Sequence, residues 1–234
     1  DSATLAFAKA VGISVMTEEL LRFSTPSAEA LLRNGLINAV AYLSDRTFVD
    51  PTAASTGSSP ASVTYGVSAV APTGTTADAF RDDFATLIAT YLAANYALGG
   101  LVILMTSQQA LKLSLMRNTL GNKEFPELGV NGGSIEGVPV ITSENIPAAG
   151  GSPVDGYPII ALHAPSILLA DDGGVNIDMS REASLQMDSA PDSPATASTV
   201  MVSMWQQNMV AIKAERFITW KKARSGAVQY IQGG

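Results

Sequence analysis

The one histidine of this sequence, His163, is the side chain best suited to acid–base chemistry near neutral pH. Ser166 follows three residues later and carboxylates are plentiful, so a nucleophilic Ser-His pair with an acidic third member could be built around it. No Gly-x-Ser-x-Gly turn surrounds Ser166, however, and the neighbours of His163 are apolar and typical of a strand. These features favour a histidine in a core or an interface, and a hydrolase that uses His163 stays open as the alternative.

Carboxylates cluster at two places in the chain. Asp171, Asp172 and Asp178 could offer oxygen ligands to a metal ion, but they lack the alternating acids and the closing glutamate of a calcium loop. The Asp-Asp-Gly-Gly sequence instead predicts a hairpin turn. Asp82 and Asp83 are poorly placed for an acid–base pair, because neighbours on a helix point about 100° apart. Both suit the first turn of a helix, where negative charge is favourable.

Two further patterns invite a binding interpretation. The glycine-rich residues 129–137 contain neither the Gly-Lys-Ser/Thr of a phosphate loop nor a dinucleotide fingerprint, so these glycines are predicted to form turns. Lys221, Lys222 and Arg224 are too few to form a nucleic-acid surface by themselves. An exposed strand end or a subunit contact is the favoured interpretation of these three cations.

The aromatic residues near the end of the chain, Trp205, Phe217 and Trp220, favour core packing over an interface role. They carry no chemistry of their own that would indicate a reaction. The sequence therefore assigns no catalytic, cofactor-binding or metal-ligating residue, and it implies no cofactor.

Composition bounds the class of protein. At 234 residues the chain can bury a sizeable core in one large domain or two smaller ones. A formal net charge of −7 argues against a protein that grips a nucleic-acid backbone, and the absence of cysteine excludes disulfides and thiolate metal sites. No apolar run reaches the roughly 18 to 20 residues that cross a bilayer and no signal peptide is evident, so we expect a soluble protein without a membrane partner. The start at Asp1 without a methionine leads us to expect a processed or trimmed part of a longer parent.

Capping residues, periodicity and stop signals predict four helices. They are a short helix after Thr17, a long helix from a cap at Thr25 to about Phe48, a helix whose apolar face spans residues 80–92 and which ends at Gly99 and Gly100, and a helix from a cap at Ser107 to near Gly121. Between the second and third helices, the Ser-, Thr- and Pro-rich residues 51–62 predict a loop and a domain boundary.

Short apolar runs and alternation predict strands in the second half of the chain. They lie in residues 101–107, 137–142, 157–164, 166–171 and 175–180, and residues 205–220 form one extended strand. Helices first and strands later predict the α+β class.

Three parts of the chain, in this order, resemble one known family. Residues 9–50 contain a short Glu-Leu-Leu helix and a long helix that closes on Asp45 and Phe48. Residues 102–122 and 132–147 give a strand, a helix, a Gly-containing turn and a Gly-x-Pro-Val strand, and residues 203–231 give a final long strand. In these segments the chain resembles the major capsid proteins of tailed bacteriophages, the Hong Kong 97 type of shell protein.

The resemblance implies an α+β Hong Kong 97-like capsid fold with a peripheral domain and an inserted axial domain. The expected bounds are residues 1–50 for the peripheral domain with its spine helix, 51–173 for the axial domain, 174–222 for the long peripheral strands and 223–234 for a C-terminal segment. The family's N-terminal arm and most of its extended loop would precede Lys9, so the chain is expected to be N-terminally truncated, and no crosslinking residue is assigned.

The resemblance also implies a structural protein and not an enzyme. The expected function is that of a phage or prophage major capsid protein, which self-assembles into hexamers and pentamers of an icosahedral shell around double-stranded DNA. The DNA would be enclosed without sequence-specific binding, and portal, scaffolding or protease proteins are further expected partners. The expected location is the virion, after synthesis in the cytoplasm of the bacterial host.

Three alternatives stay open beside this prediction. An encapsulin-type bacterial nanocompartment has the same fold and encloses an enzyme cargo, so a bound cargo peptide would distinguish it. A hydrolase would lose its activity when His163 is replaced. A monomeric binding module would stay monomeric even as the full-length parent.

Overall fold

The computed structural model describes residues 5, 8–23, 26–55, 59–118, 120–148, 156–189 and 191–232. Within these residues the chain forms both helices and strands, in agreement with the predicted α+β class. The helices are α1 (Glu18–Phe23), α2 (Pro26–Val49), α3 (Ala77–Ala93) and α4 (Ser107–Leu115). The strands are β1 (Lys9–Thr17), β2 (Leu101–Met105), β3 (Leu128–Gly129), β4 (Gly132–Ile135), β5 (Val138–Thr142), β6 (Ile159–His163), β7 (Ile167–Asp171), β8 (Asn176–Ser180), β9 (Ser184–Leu185), β10 (Val202–Ser203), β11 (Met209–Lys222) and β12 (Val228–Ile231).

The chain divides into two compact units. Unit 1 comprises Asp1–Ala8, Ser44–Ala170 and Ile218–Gly234, and unit 2 comprises Lys9–Leu43 and Asp171–Phe217. Both long elements, α2 and β11, run from one unit into the other. The predicted C-terminal segment carries β12, which pairs with β6 and so belongs to unit 1. The assignment of peripheral and axial domains stays a prediction.

Unit 1 is built on a six-stranded sheet in the order β12-β6-β2-β5-β4-β3, in which only β2 and β5 run parallel. Because side chains alternate along a strand, β2 serves two cores. Leu101, Ile103 and Met105 pack with residues of α3 and α4 on one face, and Val102 and Leu104 pack toward the cluster of the other face. Both faces of this sheet are therefore covered.

Unit 2 is organised around β1 and the first part of β11, which pair antiparallel from Lys9 opposite Phe217 to Thr17 opposite Met209. Its core is one small cluster, in which Met16, Val40 and Ile212 are buried. α2 packs directly over this sheet, since a Cβ atom at Gly12 would make ordinary van der Waals contact with Leu36 and Val40, each at 3.5 Å.

Several predicted elements are confirmed. The Thr17 hydroxyl accepts a hydrogen bond from the backbone N–H of Leu20 at 3.3 Å, so Thr17 caps α1 as expected. The long helix starts at Pro26 and ends at Val49. Its predicted cap, Thr25, lies outside the described residues.

Two helices end earlier than predicted. α3 ends at Ala93 and not at Gly99, because Asn95 adopts a left-handed conformation with φ 56° and the Tyr96 N–H reaches back to the Tyr91 carbonyl at 3.0 Å. α4 is capped by the Thr106 hydroxyl, in a reciprocal box with Gln109, and not by Ser107. It ends at Leu115 instead of near Gly121, since Met116 is already extended.

Two strand predictions were also wrong in detail. The long strand begins at Met209 and not at Trp205, because the chain turns there with Asn208 in a left-handed conformation at φ 52°. The Asp-Asp-Gly-Gly sequence does not form a hairpin. β7 and β8 do not pair with each other but with successive parts of β11, so Gly173, at φ 83°, allows a bend between them.

Candidate functional site

His163 lies at the end of β6, and Ser166 closes the short 3₁₀ turn Ala164–Ser166. The imidazole Nδ1 is 2.8 Å from the Ser166 hydroxyl, and Nε2 is 3.1 Å from the carbonyl oxygen of Gly99. A carbonyl oxygen can only accept, so the neutral ring carries its proton on Nε2 and Nδ1 accepts from the serine. The structure thus brings together the Ser-His pair that the sequence suggested.

The surroundings of this pair are those of a structural clamp. Within the described residues, the ring nitrogens of His163 bond a hydroxyl and a backbone carbonyl, and no carboxylate completes a triad. Ser166 is buried, and its carbonyl accepts the Ala223 N–H at 2.9 Å. The two residues therefore fasten the loop at Gly99 and the chain after β11 to the end of β6.

Two of the three carboxylates considered for metal binding, Asp171 and Asp178, are paired with cations. Asp171 accepts hydrogen bonds from Arg216 at 2.6 and 3.2 Å, and Asp178 lies 3.5 Å from the Lys213 ammonium. The Arg216 hydrogen bonds, with a further one from the Gly173 N–H, lower the pKa of Asp171 below its ordinary value. No group of three or more potential metal ligands occurs in the part of the chain that the structure describes.

Asp82 and Asp83 diverge as the helical geometry predicts. Asp82 faces solvent, whereas Asp83 is buried and both of its carboxylate oxygens lie 3.1 Å from the Thr73 N–H. Asp83 thereby holds the loop that leads into α3, which is a structural role.

The prediction of turns for the glycine-rich residues 129–137 is confirmed only for Gly137, because Gly129 lies in β3 and Gly132 and Gly133 lie in β4. Gly132 and Gly133 adopt φ values of 97° and 142°, and a Cβ atom at either would collide with a backbone carbonyl, that of Val140 or Glu127. These glycines serve close strand pairing between β3, β4 and β5.

The basic residues near the end of β11 bond to backbone carbonyls. The Lys222 ammonium donates to Tyr65 at 3.3 Å, and burial lowers its pKa. Arg224 donates to the Ala94 carbonyl at 3.4 Å and lies 4.5 Å from the centre of the Tyr96 ring. Both cations therefore help to fix the chain within unit 1.

The two tryptophans have opposite environments. Trp220 is buried, its indole N–H donates to the Ala61 carbonyl at 2.9 Å, and its ring meets Phe48 edge-on at 5.3 Å. Trp205 is 74% exposed, so the prediction of core packing was wrong for this residue. Phe217 is half-buried. Hydrophobicity alone did not distinguish a core tryptophan from a surface one.

Large apolar side chains on the surface are the feature that the sequence reasoning missed. In unit 2 a groove of about 840 Å³ is lined by apolar residues of β1, of the segment that carries β9 and of the residue before β10, and by polar residues; the apolar ones include Val11, Ile13, Val15, Leu185, Met187 and Met201, and the polar ones include Ser14, Gln186 and Asp188. In unit 1 a smaller cavity of about 220 Å³ lies beside Asp83. Exposed apolar surface of this kind marks contact sites between proteins.

No helix among the described residues has the length and apolar character needed to cross a membrane.

The fold is that of the Hong Kong 97-like capsid proteins. The solved structure named for Gordonia phage Cozz matches it with a TM-score of 0.71 over 97% of this chain and 70% of that one, at 14% sequence identity. A structure described as the capsid of an empty GTA particle matches with a TM-score of 0.65 over 100% of this chain and 74% of that one, also at 14% identity. At such identities the likeness shows the fold alone.

The sequence comparisons give the family. The model of the phage capsid family matches residues 1–233, and the chain belongs to this family. The capsid polyprotein of Pseudomonas phage PAJU2 is 46% identical over 231 residues, which are 98% of this chain and 34% of the polyprotein. The chain thus spans about a third of the length of this curated relative. The resemblance predicted from the three sequence segments is confirmed.

Proposed function

We propose that this chain is the shell-forming region of a phage or prophage major capsid protein, which assembles into hexamers and pentamers of an icosahedral shell around double-stranded DNA. The observation that carries the proposal is the family match over nearly the whole chain, in a chain that adopts the capsid fold. No separate catalytic or ligand domain is needed to account for the residues matched.

The described side chains support a structural role and not an enzymatic one. The groups that could do chemistry are engaged in holding the fold: His163 and Ser166 clamp a loop, Asp171 binds Arg216, and Asp83 binds a backbone N–H. The net charge of −7 suits a container that must enclose DNA without gripping it.

A phage capsid is favoured over the encapsulin alternative by the family match and by the phage polyprotein relative. The location that follows is the virion, after synthesis in the host cytoplasm. Portal, scaffolding or protease proteins would be the accessory partners, and the packaged DNA would be enclosed without sequence-specific binding.

Expression of the full-length parent alone, followed by electron microscopy and nucleic-acid analysis of the particles, tests the proposal. Closed shells of uniform size are the expected result, and His163→Ala should form the same shells. A parent that sediments as a monomer at every salt concentration and pH examined would overturn it. Shells that copurify with an enzyme held by a bound peptide would favour the encapsulin alternative.

A further inference from the structure

One surface of unit 1 combines exposed leucines with basic side chains. The leucines are on α4 and on the turn that follows it, and the cations alternate with them along the sequence. We call this surface the α4 patch; its members are Leu111, Lys112, Leu115, Arg117, Leu120 and Lys123, all of them exposed.

The helix itself explains why two of these leucines have no cover. α4 buries Ala110, Leu113 and Ser114 against unit 1. Leu111 and Leu115 are four residues apart, so they lie together on the opposite face of the helix, where they are 41% and 61% exposed. The exposed Gln108 and Lys112 lie on the same side of the helix, so this face combines apolar and polar side chains.

The turn after the helix presents a third leucine in a fixed position. Leu120 is 84% exposed, although the chain around it is well bonded. The Asn118 carboxamide oxygen accepts the N–H groups of Leu120 and Asn122, each at 3.0 Å, and Arg117 donates to the Gly121 carbonyl at 2.9 Å. The Glu124 N–H then closes the turn on the Met116 carbonyl at 3.0 Å. A leucine exposed on such an ordered turn is arranged for contact in advance.

The charge of the patch is one-sided. In the part of the chain that the structure describes, none of its three cations forms an ion pair. The acid nearest in sequence, Glu124, has a side chain only 4% exposed and pairs with Arg81, so it does not neutralise the patch. The chain as a whole carries a charge of −7. The α4 patch is thus a cationic and apolar surface on an acidic protein.

We propose that the α4 patch binds an acidic surface of a second copy of this chain in the assembled shell, an inference that rests on the proposed function. The patch cannot pair with itself in a two-fold contact, because its cations would face cations across the interface. The contact therefore joins two different surfaces, and such a heterologous contact generates rings when its rotation closes. Nucleic acid fits the patch less well, since three cations are few and leucines offer bases no stacking platform.

A single thiol tests this contact in assembled particles. The chain has no cysteine, so Leu115→Cys places one reactive group in the patch. Its maleimide labelling, located by peptide mass spectrometry, should be at least tenfold slower in particles of the full-length protein than in dissociated subunits. Leu92→Cys, at a site 57% exposed on α3 of the same unit, gives the matched labelling control. A benzophenone attached to the thiol introduced by Leu115→Cys should then crosslink two copies of the chain into a covalent dimer in particles, and not in dissociated subunits.

The outcomes separate this proposal from the proposed function. Particles in which the thiol of the Leu115→Cys variant labels as fast as in free subunits, or crosslinks to nucleic acid or to another protein, overturn the contact and leave the shell function standing. No particles and no crosslink at high protein concentration overturn both.

Charge substitutions give a second test. Lys112→Glu should lower the yield of particles at least tenfold, and Lys112→Arg should preserve it. The melting temperature of the unassembled chain should be unchanged in Lys112→Arg and fall only slightly in Lys112→Glu, because Lys112 lies in the last turn of α4. Normal assembly of Lys112→Glu, alone and together with Arg117→Glu, would contradict the proposal.

Discussion

Units 1 and 2 bury their apolar residues in different ways. In unit 1 the sheet has a core on each face, with Leu87, Tyr91 and Met105 buried on one face and Val63 and Trp220 on the other. In unit 2 the buried cluster lies beside α2, and Val11, Ile13 and Val15 line an open groove. Since burial of apolar surface is the main driving force of folding, unit 1 is the better stabilised of the two by its own contacts.

The difference indicates a division of labour within the chain. A region whose core is complete can fold before assembly, whereas a region that leaves an apolar groove open gains stability when a neighbour covers it. Unit 1 therefore carries the intrinsic stability, and unit 2 is expected to depend more on contacts made in the shell. The α4 patch is the exception in unit 1, a contact surface on a unit that is already well packed.

The two tryptophans offer the largest contrast. Trp220→Ala removes a buried ring and its hydrogen bond to Ala61, and should lower the free energy of unfolding by about 3 to 5 kcal/mol. Trp205→Ala removes an exposed ring and should change it by no more than about 0.5 kcal/mol. Urea unfolding of the 234-residue chain, followed by circular dichroism, measures both. Equal losses of unfolding free energy in the two variants would contradict the contrast between the buried and the exposed tryptophan.

Isoleucines at matched burial compare the cores directly. Ile103 in unit 1 and Ile212 in unit 2 are both almost fully buried. Ile103→Ala should fall near the upper end of the roughly 2 to 5 kcal/mol range for such changes, and Ile212→Ala near the lower end, because the small cluster around Ile212 can collapse more easily into the space left. Urea unfolding of both variants, followed by circular dichroism, measures the two losses. A greater loss for Ile212→Ala would reverse the stated order of stability.

A smaller effect is expected for Tyr91, whose phenol forms hydrogen bonds to two strands of the sheet of unit 1. The Tyr91 hydroxyl donates to the Ala161 carbonyl at 2.5 Å and accepts the Gln229 N–H at 3.1 Å, so it bonds to both β6 and β12. Burial raises the pKa of this phenol. Tyr91→Phe should cost about 1 to 3 kcal/mol, because it leaves a buried donor and an acceptor without their partner. Hydrogen exchange should show the loss in β12; unchanged protection of the Gln229 amide would refute this role.

The smallest effect concerns acid and lies at the ion pair of unit 2. Because Arg216 lowers the pKa of Asp171 from its ordinary value of 3.8, the pair stabilises the fold fully above that value and loses this contribution as the pH falls through the lowered one. Asp171→Asn should therefore melt slightly below the parent chain at neutral pH and approach it in acid. Melting curves of both proteins across this range provide the check. A difference in melting temperature between the two proteins that grew as the pH fell would contradict the predicted direction.

The sequence was most informative where local physics decides the structure. The cap at Thr17, the start at Pro26 and the alternation of β11 are set by neighbouring residues, and the structure has them as predicted. The end of α3 was predicted at Gly99, because glycine is the usual residue after a helix. Asn95 also tolerates a left-handed conformation, and it ends the helix earlier.

The surfaces were less predictable, for a physical reason. An apolar side chain such as Trp205 or Leu115 has the same sequence signature whether its own chain or a neighbour covers it. The His163 and Ser166 pair was visible from its spacing, but the Gly99 carbonyl that fixes its tautomer comes from a distant part of the chain. The leucines of α4 did carry a signal, since Leu111 and Leu115 lie off the buried stripe of their helix.

The most direct test of the central claim is a cryo-electron microscopy reconstruction of particles made by the full-length parent. The account predicts closed icosahedral shells, in whose density this fold fits once for each subunit of every hexamer and pentamer. Particles whose subunits do not accommodate the fold, or a parent that yields only monomers, would contradict it.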